Sequence, residues 1–166
     1  MKIFLKFLAW FTFIIYLLLL VNIVLLKEGS AISMAISRGE EIPLSRRLSA
    51  INFVPLKTII PYLKGEPSFH IAFENIIGNI VAFSPLGFLL PILFKRCERI
   101  KNTFWISLGV SLLIEVLQLI LNLGSCDIDD LILNVSGSLL GFRVYVLFRN
   151  FYRRKVDGVY SSKIRS

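Results

Sequence analysis

Ser107, Ser111, Glu115, Gln118 and Asn122 follow one another at spacings of four, four, three and four. At 100° per residue they fall within one helical arc of about 80°. Glu115 is the single charge in the twenty-five residues from Asn102 to Cys126. An acid at the centre of a membrane span costs about 2.5–3.5 kcal/mol to insert, so this stripe faces protein or a water-filled crevice rather than lipid. Asn75 and Asn79 are four apart and share a face. Asp127, Asp130 and Asn134 share another, while Asp129 points roughly the other way. The chemistry on offer is that of carboxylates. Glu115, Asp127 and Asp130 are hard oxygen ligands suited to a divalent cation, which would polarise a phosphoryl or carbonyl group. Alternatively, Glu115 serves as a general acid or base. No histidine, serine or cysteine stands in a recognisable nucleophile arrangement, and no phosphate-binding glycine loop is present. A structural account competes with these. Asp127 suits the N-cap of a helix with Asp129 and Asp130 in its first turn, and amides within spans bond neighbouring helices.

The elements that must position these groups are membrane helices. The chain has 166 residues, 55% hydrophobic and 18% charged, with a mean hydropathy of +0.73. That excludes an ordinary soluble globule, a disordered chain and a disulfide scaffold. A bilayer core needs about 20 mainly apolar helical residues. Phe7–Leu26, Asn75–Phe94, Asn102–Cys126 and Leu131–Phe148 each meet that need, the last with Arg143 as its one charge. The expected architecture is an all-α membrane protein. Its four-transmembrane-helix bundle has helices at about 4–26, 72–94, 103–123 and 128–149, in one domain over 1–154, with a polar, frayed tail at 155–166. The first run is longer than the h-region of a signal peptide and no clean cleavage site follows it, so it reads as an uncleaved span.

Orientation follows the Lys and Arg bias of short loops and helix ends. Lys2 and Lys6, the loop residues Lys95, Arg96, Arg99 and Lys101, and six cations after the last span fall on one side if four helices alternate. Both termini are therefore expected in the cytoplasm. The formal net charge of +8 reads as a topology signal, with no nucleic-acid partner and some attraction to anionic inner-leaflet lipid. In this orientation Asn75 and Asn79, Glu115 and Gln118, and Asp127, Asp130 and Asn134 reach the same depth in the outer half. The long outer loop from Lys27 to His70 contains an apolar stretch, residues 51–63, too short to span and interrupted by Pro55 and Pro61. An interfacial or re-entrant segment fits it, either as a surface anchor or as a lid that brings Arg46, Arg47, Lys57 and Lys64 to a phosphate or carboxylate. His70 reads as solvated. Pro85 is expected to kink the second span. Gly137 and Gly141 form a small-xxx-small face for close helix approach, within the chain or in a homodimer. Cys97 and Cys126 lie at opposite ends of the third span and cannot pair.

Several segments occur in an order that resembles VanZ-like integral membrane proteins. They are Asn75-x-x-x-Asn79, Phe83-Ser84-Pro85-Leu86-Gly87-Phe88-Leu89-Leu90-Pro91, Glu115-x-x-Gln118, Asp127-Ile128-Asp129-Asp130-Leu131 and Asn134-x-x-Gly137-x-x-x-Gly141. Asn52-Phe53-Val54-Pro55 is similar to the family's upstream Asn-Leu-Ile/Val-Pro element, which adds Asn52 to the candidate ligand-binding set of Asn75, Asn79, Glu115, Gln118, Asp127, Asp130 and Asn134. The resemblance covers roughly residues 45–150. Members often carry a basic residue three before the first Asp. This chain has Gly124 there, followed by Ser125 and Cys126, so the role of that residue is not carried over. The resemblance implies a multi-pass protein of the bacterial cytoplasmic membrane, in a family associated with low-level resistance to the glycopeptide teicoplanin.

Three functions fit these readings. The first is a membrane-embedded protein that binds a lipid-linked cell-wall precursor or a lipoglycopeptide at the outer leaflet, in a crevice with apolar walls and a polar floor. The second is an acid-cluster enzyme, with or without a divalent cation, acting on a lipid-linked envelope intermediate. The third is a small transporter or packing subunit, which needs a dimer because four helices rarely make a complete transporter.

Overall fold

A computed structural model describes residues 2–26, 51–120 and 126–164. Arg46, Arg47, Asn122, Gly124 and Ser125 lie outside the described residues. The elements in chain order are α1 (Lys2–Leu26), a short α2 (Ile59–Leu63), α3 (Phe69–Leu93), a 3-10 turn (Lys95–Glu98), α4 (Ile100–Ile120) and α5 (Ile128–Ile164). Four of the helices are long and apolar enough to cross a membrane, and the fold is a four-helix membrane bundle. The described residues contain no strand; one isolated backbone bridge joins Asn52 to Asp127.

Local sequence explains the boundaries. Ser68 caps α3, its hydroxyl accepting from the Ile71 N–H at 3.3 Å. Pro61 sits in the first turn of α2, where its missing N–H removes no helical bond, so it does not break the segment. Pro85 and Pro91 both lie inside α3, which is helical throughout. At the far end, α5 continues to Ile164 rather than stopping near 149, so residues 155–164 extend the helix instead of forming a frayed tail.

The tightest pair in the bundle is α3 with α5. A Cβ at Gly87 would strike the backbone of Ser138, one at Gly137 the backbone of Ile80, and one at Gly141 the backbone of Ser84. These glycines let the two backbones touch. The Ser84 hydroxyl lies 2.8 Å from the Ile80 carbonyl and 3.1 Å from that of Gly137, and donates across this contact. The Gly137 and Gly141 face that the sequence also offered to a homodimer packs against α3 within the chain. α1 packs antiparallel on α3. Phe13 and Leu20 are buried with Phe83, Leu86, Leu89, Leu90, Cys97 and Ile114. The Tyr16 hydroxyl donates to the Ala82 carbonyl at 2.8 Å, and Trp10 meets Phe94 edge-on. Elsewhere α1 presents Phe7, Phe11 and Leu18 outward, as a helix does whose solvent is lipid.

Asn79, ten residues into α3, hydrogen-bonds Asp130, two residues into α5. Asn79 with Asp130 and Gly87 with Ser138 pair at an offset of 51 residues, Ile80 with Gly137 and Ser84 with Gly141 at 57, so at 1.5 Å per residue α5 begins roughly 3–12 Å deeper than α3. Residues 51–58 close over that recessed start.

Candidate functional site

The recessed start of α5 is held by a strap. The Asn52 N–H donates to the Cys126 carbonyl at 2.9 Å, and the Ile128 N–H donates to the Asn52 carbonyl at 3.0 Å. Asp127 then gathers three donors: the Asn52 amide at 2.9 Å, the Thr58 hydroxyl at 2.6 Å and the Asp129 N–H at 2.9 Å. The Asn52 side-chain oxygen accepts from the Val54 N–H at 3.1 Å, a local turn that the Asn type makes readily. Leu56 adopts φ +67°, a left-handed conformation that costs an L-residue with a branched side chain. Its N–H reaches the carboxylate of Asp129.

Asp129 is the residue the sequence placed worst. Read as pointing roughly opposite to Asp127, Asp130 and Asn134 and as a first-turn acid, it is 0% exposed and cradled by three backbone donors, Leu56 at 2.5 Å, Thr58 at 2.7 Å and Ile59 at 3.1 Å. The helical wheel directs it away from α4, as expected, but the strap covers that face. Thr58 was missed as well. The signal available for both was the turn-forming Pro55 and hydroxyl-bearing Thr58 just after Asn52, facing three aspartates that any covering loop must satisfy.

On the other face of α5 the expected polar stripe forms a ladder with α4. Glu115, 2% exposed, accepts from the Asp127 N–H at 3.1 Å. One turn along, the Asn134 amide donates to the Ser111 hydroxyl at 3.0 Å. One turn further, the hydroxyls of Ser107 and Ser138 meet at 2.5 Å. Thr103 completes the line by donating to the Cys97 carbonyl at 2.9 Å. Gln118 is buried at the opposite end of the stripe. The Asn134 side-chain oxygen is buried and has no hydrogen-bond partner among the described residues.

From α3, the Asn79 amide donates to Asp130 at 2.7 Å and ties that helix into the layer. Asn75 does not join it. Its amide turns back onto the Ile71 carbonyl of its own helix at 2.9 Å, because one turn along α3 carries it past the level of Asp130. The structure therefore brings Asn52, Asn79, Glu115, Asp127 and Asp130 into one layer, with Asn134 a turn below and Asn75 outside. No group of three or more His, Cys, Asp and Glu side chains among the described residues is placed to hold a metal ion. The Cys126 thiol borders the layer. Its burial, and then the charges of Glu115, Asp127 and Asp130, push its pKa up.

Beside this layer lies a groove between α1 and α3, of about 460 Å³, that no sequence signal had placed. Ile23, Phe73, Ile77, Val81 and Ala82 form its apolar walls, and Glu74 and Asn79 supply its polar groups. Gly78 lies in its lining, and a Cβ there would meet no atom within 4 Å. A glycine inside a helix costs roughly 0.5–1 kcal/mol relative to alanine. Unlike Gly87, Gly137 and Gly141, Gly78 serves no helix contact here; its missing side chain leaves space in the groove. Asn79 belongs to both features, facing the groove while bonding Asp130.

Comparison with known proteins agrees with this architecture. The profile of the VanZ/LLP1 family matches residues 13–149. Protein VanZ of Enterococcus faecium is 35% identical over 88 residues, which are 52% of this chain and 54% of that protein, so the match spans about half of each. No solved structure matches significantly.

Proposed function

The chain belongs to the VanZ/LLP1 family of membrane proteins, and we propose that it holds a lipid-tailed ligand, a lipoglycopeptide or a lipid-linked cell-wall precursor, at the outer leaflet of the bacterial cytoplasmic membrane. In this reading both termini are cytoplasmic, following the basic residues at 95–101 and after 148. The groove and the acid layer then open toward the envelope. By sequestering or displacing such ligands the protein contributes to glycopeptide resistance of the teicoplanin type or to envelope homeostasis.

The observation that carries the reading is the groove. It has apolar walls that suit part of an acyl or polyprenyl chain, space left open at Gly78, and in its lining the Asn79 amide fixed to a layer of carboxylates. A binder needs little more than shape, apolar surface and a few oriented polar groups. Asp127 and Asp129 are occupied as acceptors for the strap, which suits a scaffold that keeps the layer rigid.

The test compares two glycine variants in a bacterium sensitised to glycopeptides. Gly78→Leu fills the groove, whereas Gly109→Leu makes the same change on α4, where a Cβ also meets nothing within 4 Å. At matched membrane yield, wild type and Gly109→Leu should protect against an acylated glycopeptide more than against the same molecule without its chain. Gly78→Leu should lose that difference. Equal protection by Gly78→Leu and wild type would overturn the groove as the binding site.

A further inference from the structure

The polar lining of the groove has a sign, and from it we propose that the ligand is a cationic amphiphile, an apolar chain bearing an ammonium group, rather than a lipid phosphate. The proposal rests on the groove reading above and narrows it: a precursor linked through a lipid phosphate is dropped, and a chain whose head carries an ammonium group is retained.

Three observations support it. Glu74 stands at the groove with its side chain 63% exposed. Its neighbour His70, at 3.2 Å, offsets that charge only when protonated. Asn79 donates to Asp130, which places a second carboxylate directly behind the groove lining. Asp127, Asp129 and Glu115 lie in the same layer, joined to Asp130 through the first turn of α5. Even with all six Lys and Arg of residues 27–70 counted, the acids of that stretch together with Glu74, Glu115, Asp127, Asp129 and Asp130 outnumber them nine to six. A phosphate or pyrophosphate head placed at Glu74 meets like charge at the edge of a low-dielectric region, where repulsion is poorly screened. An ammonium head meets the opposite sign and has the Glu74 carboxylate as an acceptor for its N–H donors. The chain lies against Ile77, Val81 and Ala82 in either case, so head charge is what discriminates.

The experiment measures displacement of a fluorescent alkyl probe from the purified protein in nonionic micelles. The competitors are tetradecylammonium, tetradecyl phosphate and tetradecyl maltoside, which share one chain and differ in head charge. The expected order of affinity is ammonium, then maltoside, then phosphate, with at least a tenfold span at low salt that narrows as salt is added. Glu74→Gln, a surface change, should shrink the ammonium advantage over maltoside several-fold. Gly78→Leu should weaken all three, while Gly109→Leu weakens none. Equal affinities that still depend on Gly78, or a preference for phosphate, would overturn the charge assignment and leave the groove standing. Displacement indifferent to Gly78→Leu would overturn the groove reading and this inference with it.

Discussion

Asp129 shows how a carboxylate is accommodated in the interior of the bundle. An ionised carboxylate buried without donors is prohibitive, and one given three N–H groups at 2.5–3.1 Å is a stable fixture. The donors come from residues whose backbone would otherwise need partners of its own, so loop and acid solve each other's problem. Hydrogen bonds to a charged group contribute about 1.5–3 kcal/mol. Asp129→Asn keeps the shape but turns an NH2 toward backbone donors. It should destabilise the protein by about 2 kcal/mol or more, read as a lower melting temperature in detergent. An unchanged melting temperature would show that the strap does not depend on this carboxylate. Asp127 differs in kind, since its donors are two side chains and one N–H, and the strap's backbone bridge persists beside it.

At the scale of elements, the α3–α5 contact and the α4–α5 ladder use opposite chemistries. The first is a contact of bare backbone made by glycines, the second a file of hydroxyl, amide and carboxylate groups. Hydrogen bonds between membrane helices average about 0.6 kcal/mol, so no single rung of the ladder is indispensable. A glycine contact is less forgiving, because the atom that a new side chain meets is backbone and cannot rotate away. Gly141→Val, pressed on Ser84, should cost at least about 2 kcal/mol and lower the yield of folded protein. Gly109→Ala, on an open face, should be neutral or slightly stabilising. If the two variants melt together, α3 and α5 are not packed through these glycines.

For the whole molecule, the proposed orientation makes an accessibility prediction. Burial holds the Cys97 thiol above its ordinary pKa, and burial with nearby acids does the same for Cys126, so both are mostly uncharged thiols at neutral pH and alkylate slowly. A cysteine introduced at Lys64 should react with a membrane-impermeant maleimide in intact cells, and one introduced at Lys101 only after lysis. The reverse pattern would invert the topology and turn the groove and acid layer toward the cytoplasm.

The sequence by itself determined the four spans, because length and apolarity against a bilayer leave few alternatives, and their ends agree with the helices to within a few residues except at the tail of α5. It also determined the buried stripe on α4, since a helical period leaves Ser107, Ser111, Glu115 and Gln118 on one face that lipid will not accept. Tertiary structure alone decided what those groups meet. The recessed start of α5 buried Asp129 and left Asn75 out. The α3–α5 contact used the glycines that a second copy was otherwise free to claim. The approach of α1 to α3 opened the groove that Gly78 lines. Each of these depends on how far one helix slides along another, and that displacement is set by packing between segments distant in the chain, which a local period does not encode.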